Sequence, residues 1–455
     1  MKLTVLGGGG VRLPLLIKGL IGTGAQCPFE TVMLFDIEEQ QLATMGKLAQ
    51  YLLRQTQSAI NLEYTTDIRE ALTGADFVFS AIRVGQNASR IIDERVALEH
   101  GVVGQETTGP GGFAMALRTI PVVLDYARIM REVAPQAWLL NFTNPAGIVT
   151  QALIDQDTPR TIGICDSPEG IKKRVAHFLD VVPERVQLSY LGLNHLGWVT
   201  DVHVDGISQM AFLLTHYAEL SRQDAEFAAF DAELVQSLGM LPNEYLYYFY
   251  YSADAVQNIN RVGETRGAQI AQLSQSLLAG LHDAVLREDY AGAWDLYTHT
   301  MGARSQTYMQ REMHATAQAR ADRPAVAQED AGYAGIALRV AQSMLGQSTA
   351  PMIVNTPNHH AITDLAPEDV VEVSASILAD GPHPLAVGPM PAKIAGLVLQ
   401  VKEYERCTVK AAVTGNRRLA IEALAAHPLV PSYQLATQLV DRYLRELAAW
   451  LPQFA

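Results

Sequence analysis

The chain has 455 residues, of which 49% are apolar and 18% are charged, so it can bury a large core and its length suits two or three domains. Its formal net charge of −14 argues against a nucleic-acid backbone as a partner, which would select clustered lysine and arginine. A small anionic ligand stays open, because a local pair of arginines binds phosphate even in an acidic protein.

The cysteines argue for a reducing compartment. Cys27, Cys165 and Cys407 are odd in number, lie far apart and form no C-x-x-C pair, so a disulfide framework is not expected. The N-terminal apolar run is too short for a signal peptide, and no stretch approaches the ~20 apolar residues of a membrane span. We therefore expect a soluble cytoplasmic protein.

In the first part of the chain, short β-like runs alternate with helical patterns. Strands are predicted at residues 2–6, 32–36, 62–65, 77–82, 138–142 and 161–165, and helices at 38–54, 113–133 and 168–178. This alternation predicts βαβ units and a parallel sheet, and six strands match a Rossmann-like, doubly wound α/β sheet.

The pattern changes near residue 186. Residues 186–206 alternate like antiparallel strands with a turn at Asp205-Gly206. Further helices are predicted at 224–238, 265–279 and 392–414, strands within 351–377, and a mobile loop or exposed helix in the polar stretch 305–330. We expect a nucleotide-binding domain at 1–190, interlocked with a mixed α+β domain at 191–455.

A glycine run follows the first strand. Gly7, Gly8, Gly9 and Gly10 precede a helical pattern, as in loops whose backbone N–H groups approach a pyrophosphate, although Arg12 stands where G-x-G-x-x-G has its third glycine. Asp36, after the second strand, would accept hydrogen bonds from ribose hydroxyls and favours NAD over NADP. The alternative is a tight turn in an α/β protein that binds no nucleotide.

Polar residues follow two later strands of the same predicted sheet. Asn144-Pro145 comes after residues 138–142, and Cys165 and Asp166 come after residues 161–165, at the strand ends where ligands bind. Cys165 and His195 of "LGLNHLGW" are too few ligands for a closed zinc site, but they suit an open catalytic metal site. The alternatives are a helix-capping asparagine, a packing cysteine and a structural histidine.

Two further stretches supply candidate reactive side chains. "LPNEYLYYFYYSAD" contains five tyrosines, one of which could act as a base if nearby cations favour the phenolate, although packing is the default role for each. The glycine-rich segment 82–121 holds Arg83, Arg90 and Glu106 after another strand and could bind an anionic substrate above a cofactor. A solvated helix face is the alternative.

Together these motifs resemble glycoside hydrolase family 4, whose members depend on NAD and a divalent metal. The resemblance rests on "GGGG", "IRVG…SR…DE", "GVVGQETTGPGG", "NFTNPAGIVT", "GICDSP", "LGLNHLGW", "PNEYLYY", "ETRG" and "KEYERCTVKA", in this order over nearly the whole chain. Within the family the chain is most similar to the 6-phospho-β-glucosidases, which implies homodimers or homotetramers.

The resemblance implies roles for particular residues. Cys165 and His195 match the ligands of the metal, usually Mn²⁺, and Tyr245 matches the catalytic base, with Glu106 raising its basicity. Asp166 matches an acid of the 6-phospho-α-glucosidases, where several β-specific relatives carry Asn. Arg90, Asn144 and Arg266 match substrate-contacting positions. We assign Arg83, from the loop that could bind a substrate above the cofactor, to the cofactor.

One departure from the family concerns the glycine loop. Many relatives read "GGGSSYTPEL" where this chain reads "GGGGVRLPLL", so Arg12 is assigned to the substrate, either as a new phosphate contact or as the mark of a relaxed phosphate requirement.

The reaction implied by the resemblance differs from two-carboxylate hydrolysis. NAD⁺ takes the C3 hydride, the metal holds the C2 and C3 oxygens, and Tyr245 removes the acidified C2 proton. The aglycone then leaves, water adds and the hydride returns. The alternatives are a 6-phospho-α-glucosidase or another glycosidase of this mechanism, a 2-hydroxy-acid dehydrogenase, and a non-catalytic sensor of NAD or sugar phosphate.

Overall fold

The computed structural model describes residues 1–307, 309–313 and 332–455. Its strands are β1 Lys2–Leu6, β2 Thr31–Phe35, β3 Asn61–Thr65, β4 Phe77–Ser80, β5 Trp138–Asn141, β6 Thr161–Gly163, β7 Val186–Leu193, β8 Leu196–Val204, β9 Ile207–Ser208, β10 Leu241–Pro242, β11 Met352–Pro357, β12 Val370–Leu378 and β13 Gly381–Pro384.

Helices connect and cover these strands. They are α1 Leu13–Gly22, α2 Glu39–Gln55, α3 Ile68–Leu72, α4 Gln86–Glu99, α5 Gly109–Val133, α6 Ala146–Asp155, α7 Ser167–Phe178, α8 Met210–Thr215, α9 Tyr217–Gln223, α10 Ala232–Leu238, α11 Tyr247–Tyr250, α12 Ser252–Val262, α13 Arg266–Leu286, α14 Tyr290–Gln306, α15 Gln310–Met313, α16 Gly332–Met344, α17 Ala392–Thr414, α18 Arg417–Ala426 and α19 Tyr433–Glu446.

The first six strands form a parallel sheet in the order β3-β2-β1-β4-β5-β6. This is the Rossmann order, so the predicted α/β fold is confirmed. The strand order reverses at β1, and because the six strands are parallel their carboxyl ends lie at one edge of the sheet. The strands that end at this edge are followed by the glycine loop, Asp36, Asn144 and Cys165.

The later part of the chain extends this sheet. β11 pairs antiparallel with β6, and β12 and β13 continue antiparallel to give nine strands. A separate antiparallel sheet contains β7, β8, β9 and β10, as the alternating pattern predicts. The domain boundary predicted at residue 190 lies within β7.

Two predicted helices have different bounds. The helix expected at 224–238 is confined to α10, because the Asp224 carboxylate accepts from the backbone N–H groups of Glu226 and Phe227 and forms a turn instead. The helix expected at 265–279 continues to Leu286. Most of the polar stretch 305–330 lies outside the described residues.

Buried apolar side chains cover both faces of the large sheet. One cluster joins β4 and β5 to β8, β12 and α19, and the other joins β1, β2 and β6 to α13, β11 and α16. Each cluster therefore draws on both halves of the chain. Among the described residues, no helix is both long enough and apolar enough to cross a membrane.

Candidate active site

The glycine loop joins β1 to α1 at the carboxyl edge of the large sheet. The backbone N–H groups of Gly7 and Gly8 donate to the carbonyl of Phe35 at 2.9 and 2.8 Å, which ties the loop to β2. Gly7 has a φ of +94°, and a Cβ there would lie 2.8 Å from the carbonyl oxygen of Ala81. A helix N-terminus follows the loop, which is the arrangement that binds a pyrophosphate.

Asp36 stands beside this loop after β2. Its carboxylate accepts the backbone N–H of Gly9 at 2.9 Å and that of Glu38 at 3.2 Å. Burial raises the pKa of Asp36, and these hydrogen bonds oppose the rise. The neighbouring Ile37 is 72% exposed and offers an apolar surface next to the carboxylate, which suits the adenosine half of a dinucleotide.

A buried polar network shapes the loop after β5. The Asn141 amide donates to Thr150 and to the carbonyl of Ala146, and Thr143 bonds to Ser80 at 2.8 Å. This network holds the half-buried Asn144, whose bond to Pro145 is cis. Pro145 is itself the N-cap residue of α6, so Asn144 is not a helix cap.

Cys165 and His195 meet at the junction of the two sheets. Cys165 follows β6, and His195 is the second residue of the two-residue turn between β7 and β8, with a φ of +62°. The Cys165 Sγ lies 3.5 Å from the Nε2 of His195. The Nδ1 of the same ring lies 2.9 Å from the hydroxyl of Thr107.

Burial keeps both side chains uncharged. It raises the pKa of the Cys165 thiol, with Glu372 and Asp166 adding to the rise, and it lowers the pKa of His195 to about 3. The thiol proton therefore faces a neutral imidazole. A divalent cation between the two atoms would replace that proton, because thiolate and neutral imidazole are the forms that bind metals.

Tyr245 completes this group. Its ring is parallel to the His195 ring, with centroids 3.6 Å apart and an interplanar angle of 4°. The backbone N–H of Tyr245 donates to Asn243 at 3.0 Å, and the Asn243 amide donates to the hydroxyl of Tyr190 at 3.3 Å. The backbone N–H of Asn243 donates to the carbonyl of Gly197, which connects Tyr245 to β8, the strand that follows His195. The fold thus brings Tyr245, among the five tyrosines, to the histidine.

Glu106 lies between two arginines. Its carboxylate is 2.7 Å from Arg83 and 2.9 Å from Arg90. Burial by itself raises the pKa of Glu106, but the two guanidinium groups outweigh it and hold the pKa well below its usual range. Glu94 also binds Arg90 at 2.7 Å and accepts the backbone N–H of Gly267 at 2.6 Å, so it links α4 to the start of α13.

Further arginines lie around Arg83 and Arg90. Arg266 donates to Gln269, Thr307 and the carbonyl of Arg304 at 2.6–2.7 Å. Arg12 lies over the ring of Phe142 at 5.3 Å. Burial lowers the pKa of Arg304, and the neighbouring charges of Arg12 and Arg90 add to the effect. This part of the site therefore carries an excess of positive charge.

The structure brings most of the predicted site residues together. His195 contacts both Cys165 and Tyr245, and Glu106 joins Arg83 and Arg90 next to them. Asp166 is exposed beside Cys165. The residues of the glycine loop, with Asp36 and Asn144, lie at the same sheet edge without a described contact to that group.

Sequence reasoning missed several supporting side chains. Gln105 and Thr107 stand on either side of Glu106 in the "GQET" motif. This position is the only feature of the sequence that could have pointed to a role for them. Glu372 of β12 accepts hydrogen bonds from Asn194 and Asn355, both at 3.0 Å. Nothing in the sequence connects Glu372 to the β7–β8 turn, which it holds through Asn194.

The side chains fit an open metal site. Among the described residues, no group of three or more His, Cys, Asp and Glu side chains could hold a metal ion. Cys165 and His195 are separated by about the distance expected for two ligands that share one ion at roughly 2.0–2.3 Å. A metal held by these two residues would leave positions for a substrate.

Comparison with known proteins bears on the family. The model of "Family 4 glycosyl hydrolase" matches residues 2–181, and that of "Family 4 glycosyl hydrolase C-terminal domain" matches residues 190–430.

The chain belongs to the family 4 glycosyl hydrolases.

Individual members agree with this assignment. The family 4 chain is 33% identical to the "Probable 6-phospho-beta-glucosidase" of Bacillus subtilis (strain 168), covering 100% of this chain and 98% of that one. It is 31% identical to the "6-phospho-beta-glucosidase" of Escherichia coli (strain K12), covering 100% and 97%.

A solved structure extends the similarity to the whole fold. The 6-phospho-beta glucosidase from Thermotoga maritima, described with manganese, NAD⁺ and glucose-6-phosphate, is 25% identical with a TM-score of 0.82 and covers 99% of each chain. The family and the fold predicted from the sequence are therefore confirmed.

Proposed function

We propose that this family 4 glycosyl hydrolase is an NAD- and divalent-metal-dependent 6-phospho-β-glucosidase. The observation that carries the proposal is the contact of Cys165, His195 and Tyr245 at the edge of the sheet that also holds the glycine loop. Two metal-binding atoms, a phenol and a dinucleotide loop at one edge are more than a turn or a packing histidine requires. The relatives named above support the same activity.

The cofactors would supply the redox and Lewis-acid chemistry. The glycine loop would hold NAD⁺, which would supply a reversible hydride acceptor, and Cys165 and His195 would hold a divalent ion such as Mn²⁺, which would supply Lewis-acid polarisation of sugar oxygens. We assign to Asp36 the ribose hydroxyls and to Gly7, Gly8, Gly9 and Gly10 the pyrophosphate. Arg83 would lie at the cofactor side of Glu106.

The protein's own groups would move the protons. We assign the removal of the C2 proton to the Tyr245 hydroxyl, whose ring is fixed against His195. Glu106 is held ionised by Arg83 and Arg90 and would favour proton uptake by the phenol. Asp166 is exposed beside Cys165 and is the group assigned to protonate the departing aglycone, or to position a water that does so.

The arginines favour an anionic sugar. The pKa of Arg304 is lowered by burial and by the nearby positive charges of Arg12, Arg83 and Arg90. Glu106 pairs with two of these arginines, Arg83 and Arg90. A phosphate dianion would offset this charge. We assign Arg12, Arg90 and Arg266, together with Asn144, to the sugar phosphate.

The choice of the β-anomer over the α-anomer is the most specific part of the proposal. The two relatives at 31% and 33% identity are named as β-glucosidases, whereas Asp166 matches an acid of α-specific members. A 6-phospho-α-glucosidase is therefore the second candidate. A 2-hydroxy-acid dehydrogenase would need neither the Cys165–His195 pair nor a stacked Tyr245, and a sensor would not need all three.

We further propose a cytoplasmic homodimer or homotetramer with two interlocked domains. The three cysteines are free thiols, which suits a reducing compartment. We place the division between the domains near residue 190, with the second domain serving the metal, the substrate and oligomer contacts.

One set of assays tests the function. We expect release of p-nitrophenol from p-nitrophenyl β-glucoside 6-phosphate in the presence of NAD⁺ and Mn²⁺, and loss of activity with EDTA or without NAD⁺. A substrate deuterated at C2 should exchange its label with solvent during turnover, because the proton is removed before the aglycone leaves. NADH should not accumulate, since the hydride returns to the sugar.

The controls separate the alternatives. The α-anomer and the unphosphorylated β-glucoside should react much more slowly under the same conditions. Preferred turnover of the α-anomer would replace the β assignment by the second candidate. Full activity in EDTA, or complete retention of the C2 deuterium, would contradict the metal assignment or the elimination route.

A further inference from the structure

The orientation of the Gln105 side chain is fixed by its neighbours. Its Oε1 position lies 2.6 Å from the backbone nitrogen of Thr107 and 2.7 Å from that of Thr108. Both backbone N–H groups can only donate, so the facing atom must be the amide oxygen and not the nitrogen. Gln105 is therefore an acceptor at this point, in a buried environment.

This acceptor determines the direction of the next hydrogen bond. The hydroxyl of Thr107 lies 3.0 Å from the same Gln105 oxygen, and a hydroxyl has one hydrogen to donate. Because the oxygen can only accept, the Thr107 hydroxyl donates to it. The lone pairs of the hydroxyl are then left to accept from the Nδ1 of His195, 2.9 Å away.

We propose that Gln105 and Thr107 are positioning residues that hold His195 in the Nδ1–H tautomer, so that the Nε2 lone pair faces Cys165 and binds the metal. The inference rests on the proposed function, which makes His195 a metal ligand. In the other tautomer Nε2 carries a proton and cannot bind a cation.

Two other contacts of His195 do not select a tautomer, and a third does so only in the metal-free protein. The stacked ring of Tyr245 fixes the plane of the imidazole, but a parallel ring does not distinguish the two tautomers. Asn194 is anchored by Glu372 at 3.0 Å, which holds the backbone of the turn. The Cys165 thiol, 3.5 Å from Nε2, is a weak donor that favours the same tautomer but loses its proton when a metal binds. The hydroxyl of Thr107 is therefore the contact that distinguishes the ring nitrogens when the metal is present.

The test is Thr107→Val, which keeps the shape of the side chain and removes its acceptor. We expect the dissociation constant of Mn²⁺, measured by electron paramagnetic resonance of the free ion, to rise about 10- to 100-fold. Thr107→Ser should restore wild-type affinity. Thr119→Val is the matched control with about wild-type affinity, because the buried Thr119 Oγ1 has no hydrogen-bond partner in the described part of the chain and lies outside this network.

A second measurement reads the tautomer itself. In metal-free wild-type protein labelled with ¹⁵N-histidine, the His195 signals, assigned as those missing from His195→Ala, should show a protonated Nδ1 and an unprotonated Nε2. Thr107→Val should increase the population with a protonated Nε2. A role in folding alone would leave this population unchanged.

The outcomes separate this inference from the proposed function. Unchanged Mn²⁺ affinity in Thr107→Val, with binding abolished in His195→Ala, would overturn the tautomer inference and leave the metal site intact. Unchanged affinity in His195→Ala would contradict the metal site. If Thr107→Val does not fold, judged by NAD⁺ binding, a protonated Nε2 in the wild type still overturns the inference.

Discussion

At the residue scale, the charge around Glu106 is the feature that most restricts the substrate. Glu106 neutralises part of the charge of Arg83 and Arg90, while burial and the nearby Arg12 lower the pKa of Arg304. A buried cluster of guanidinium groups is stabilised when a multivalent anion joins it. Arg12 is the member that departs from the usual family sequence, and it stands next to the glycine loop.

Replacing Arg12 by Ala should therefore weaken binding of the phosphorylated sugar. We expect KM for p-nitrophenyl β-glucoside 6-phosphate to rise about 10-fold or more, since a charged hydrogen bond to phosphate contributes about 1.5–3 kcal/mol. Activity on the unphosphorylated glucoside should change little. Initial rates at saturating NAD⁺ and Mn²⁺ measure both.

Arg128→Ala is the matched control, because Arg128 is exposed near the C-terminal end of α5, where it pairs with Glu132. A rise in KM for NAD⁺ alone would move Arg12 from the sugar phosphate to the pyrophosphate. Unchanged KM for the phosphorylated sugar would contradict the assignment of Arg12 to the substrate.

At the element scale, the β7–β8 hairpin connects His195 to Tyr245. Gly197 of β8 packs against Tyr190 of β7, and a Cβ at Gly197 would lie 2.3 Å from the Tyr190 hydroxyl. That hydroxyl accepts the Asn243 amide, and Asn243 in turn binds the backbone of Tyr245. Displacement within the hairpin therefore reaches the stacked pair.

Gly197→Ala should reduce catalysis more than stability. We expect kcat to fall about 100-fold, because a shift of about 1 Å in a reacting group can have that effect. The free energy of unfolding should fall by about 1–3 kcal/mol through overpacking. Activity assays and urea unfolding of the same preparation give the two values, and NAD⁺ binding should persist.

Gly206, at the far end of β8, provides the comparison. Its φ is +81° and a Cβ there meets no atom within 4 Å, so Gly206→Ala introduces backbone strain without moving Tyr190. It should destabilise by roughly 1–2 kcal/mol and keep near wild-type kcat. Equal loss of kcat in both variants would show that general destabilisation explains the effect.

The hairpin also shows which features of the site can be predicted from the sequence. Alternation predicts β7 and β8, the end of a parallel strand selects Cys165, and the motif "LGLNHLGW" offers His195, because these signals are local in the chain. The contact between Thr107 and His195 joins residues 88 positions apart, and that between Asn194 and Glu372 joins residues 178 apart. Neither leaves a periodic signal. The choice of Tyr245 among five tyrosines likewise depends on packing against the hairpin, and only the family resemblance selects it from sequence.

At the scale of the whole molecule, the nine-stranded sheet crosses the predicted domain boundary. β11 adds to the edge of β6, and Val354 and Ala375 share a buried cluster with Ile162 and Ile164. The six parallel strands were predictable from their alternation with helices. Of the three added strands, β11 and β12 lie in the stretch predicted to form strands and β13 was not predicted. Which sheet they join depends on long-range packing that the sequence does not encode locally.

A fragment of residues 1–181 should therefore fail to fold on its own, although it contains the entire parallel sheet. Without β11, β12 and α16, the apolar face around Ile162 and Ile164 would be exposed to water, at a cost of about 25 cal/mol per Å² of uncovered apolar surface. We expect no cooperative urea transition and no NAD⁺ binding by isothermal titration calorimetry. Co-expression with residues 182–455 should restore both, because the missing strands are supplied in trans. An isolated fragment that unfolds cooperatively and binds NAD⁺ as tightly as the full chain would show that the first domain is autonomous, and that the shared sheet serves to position Cys165 against His195 and not to stabilise the nucleotide-binding half.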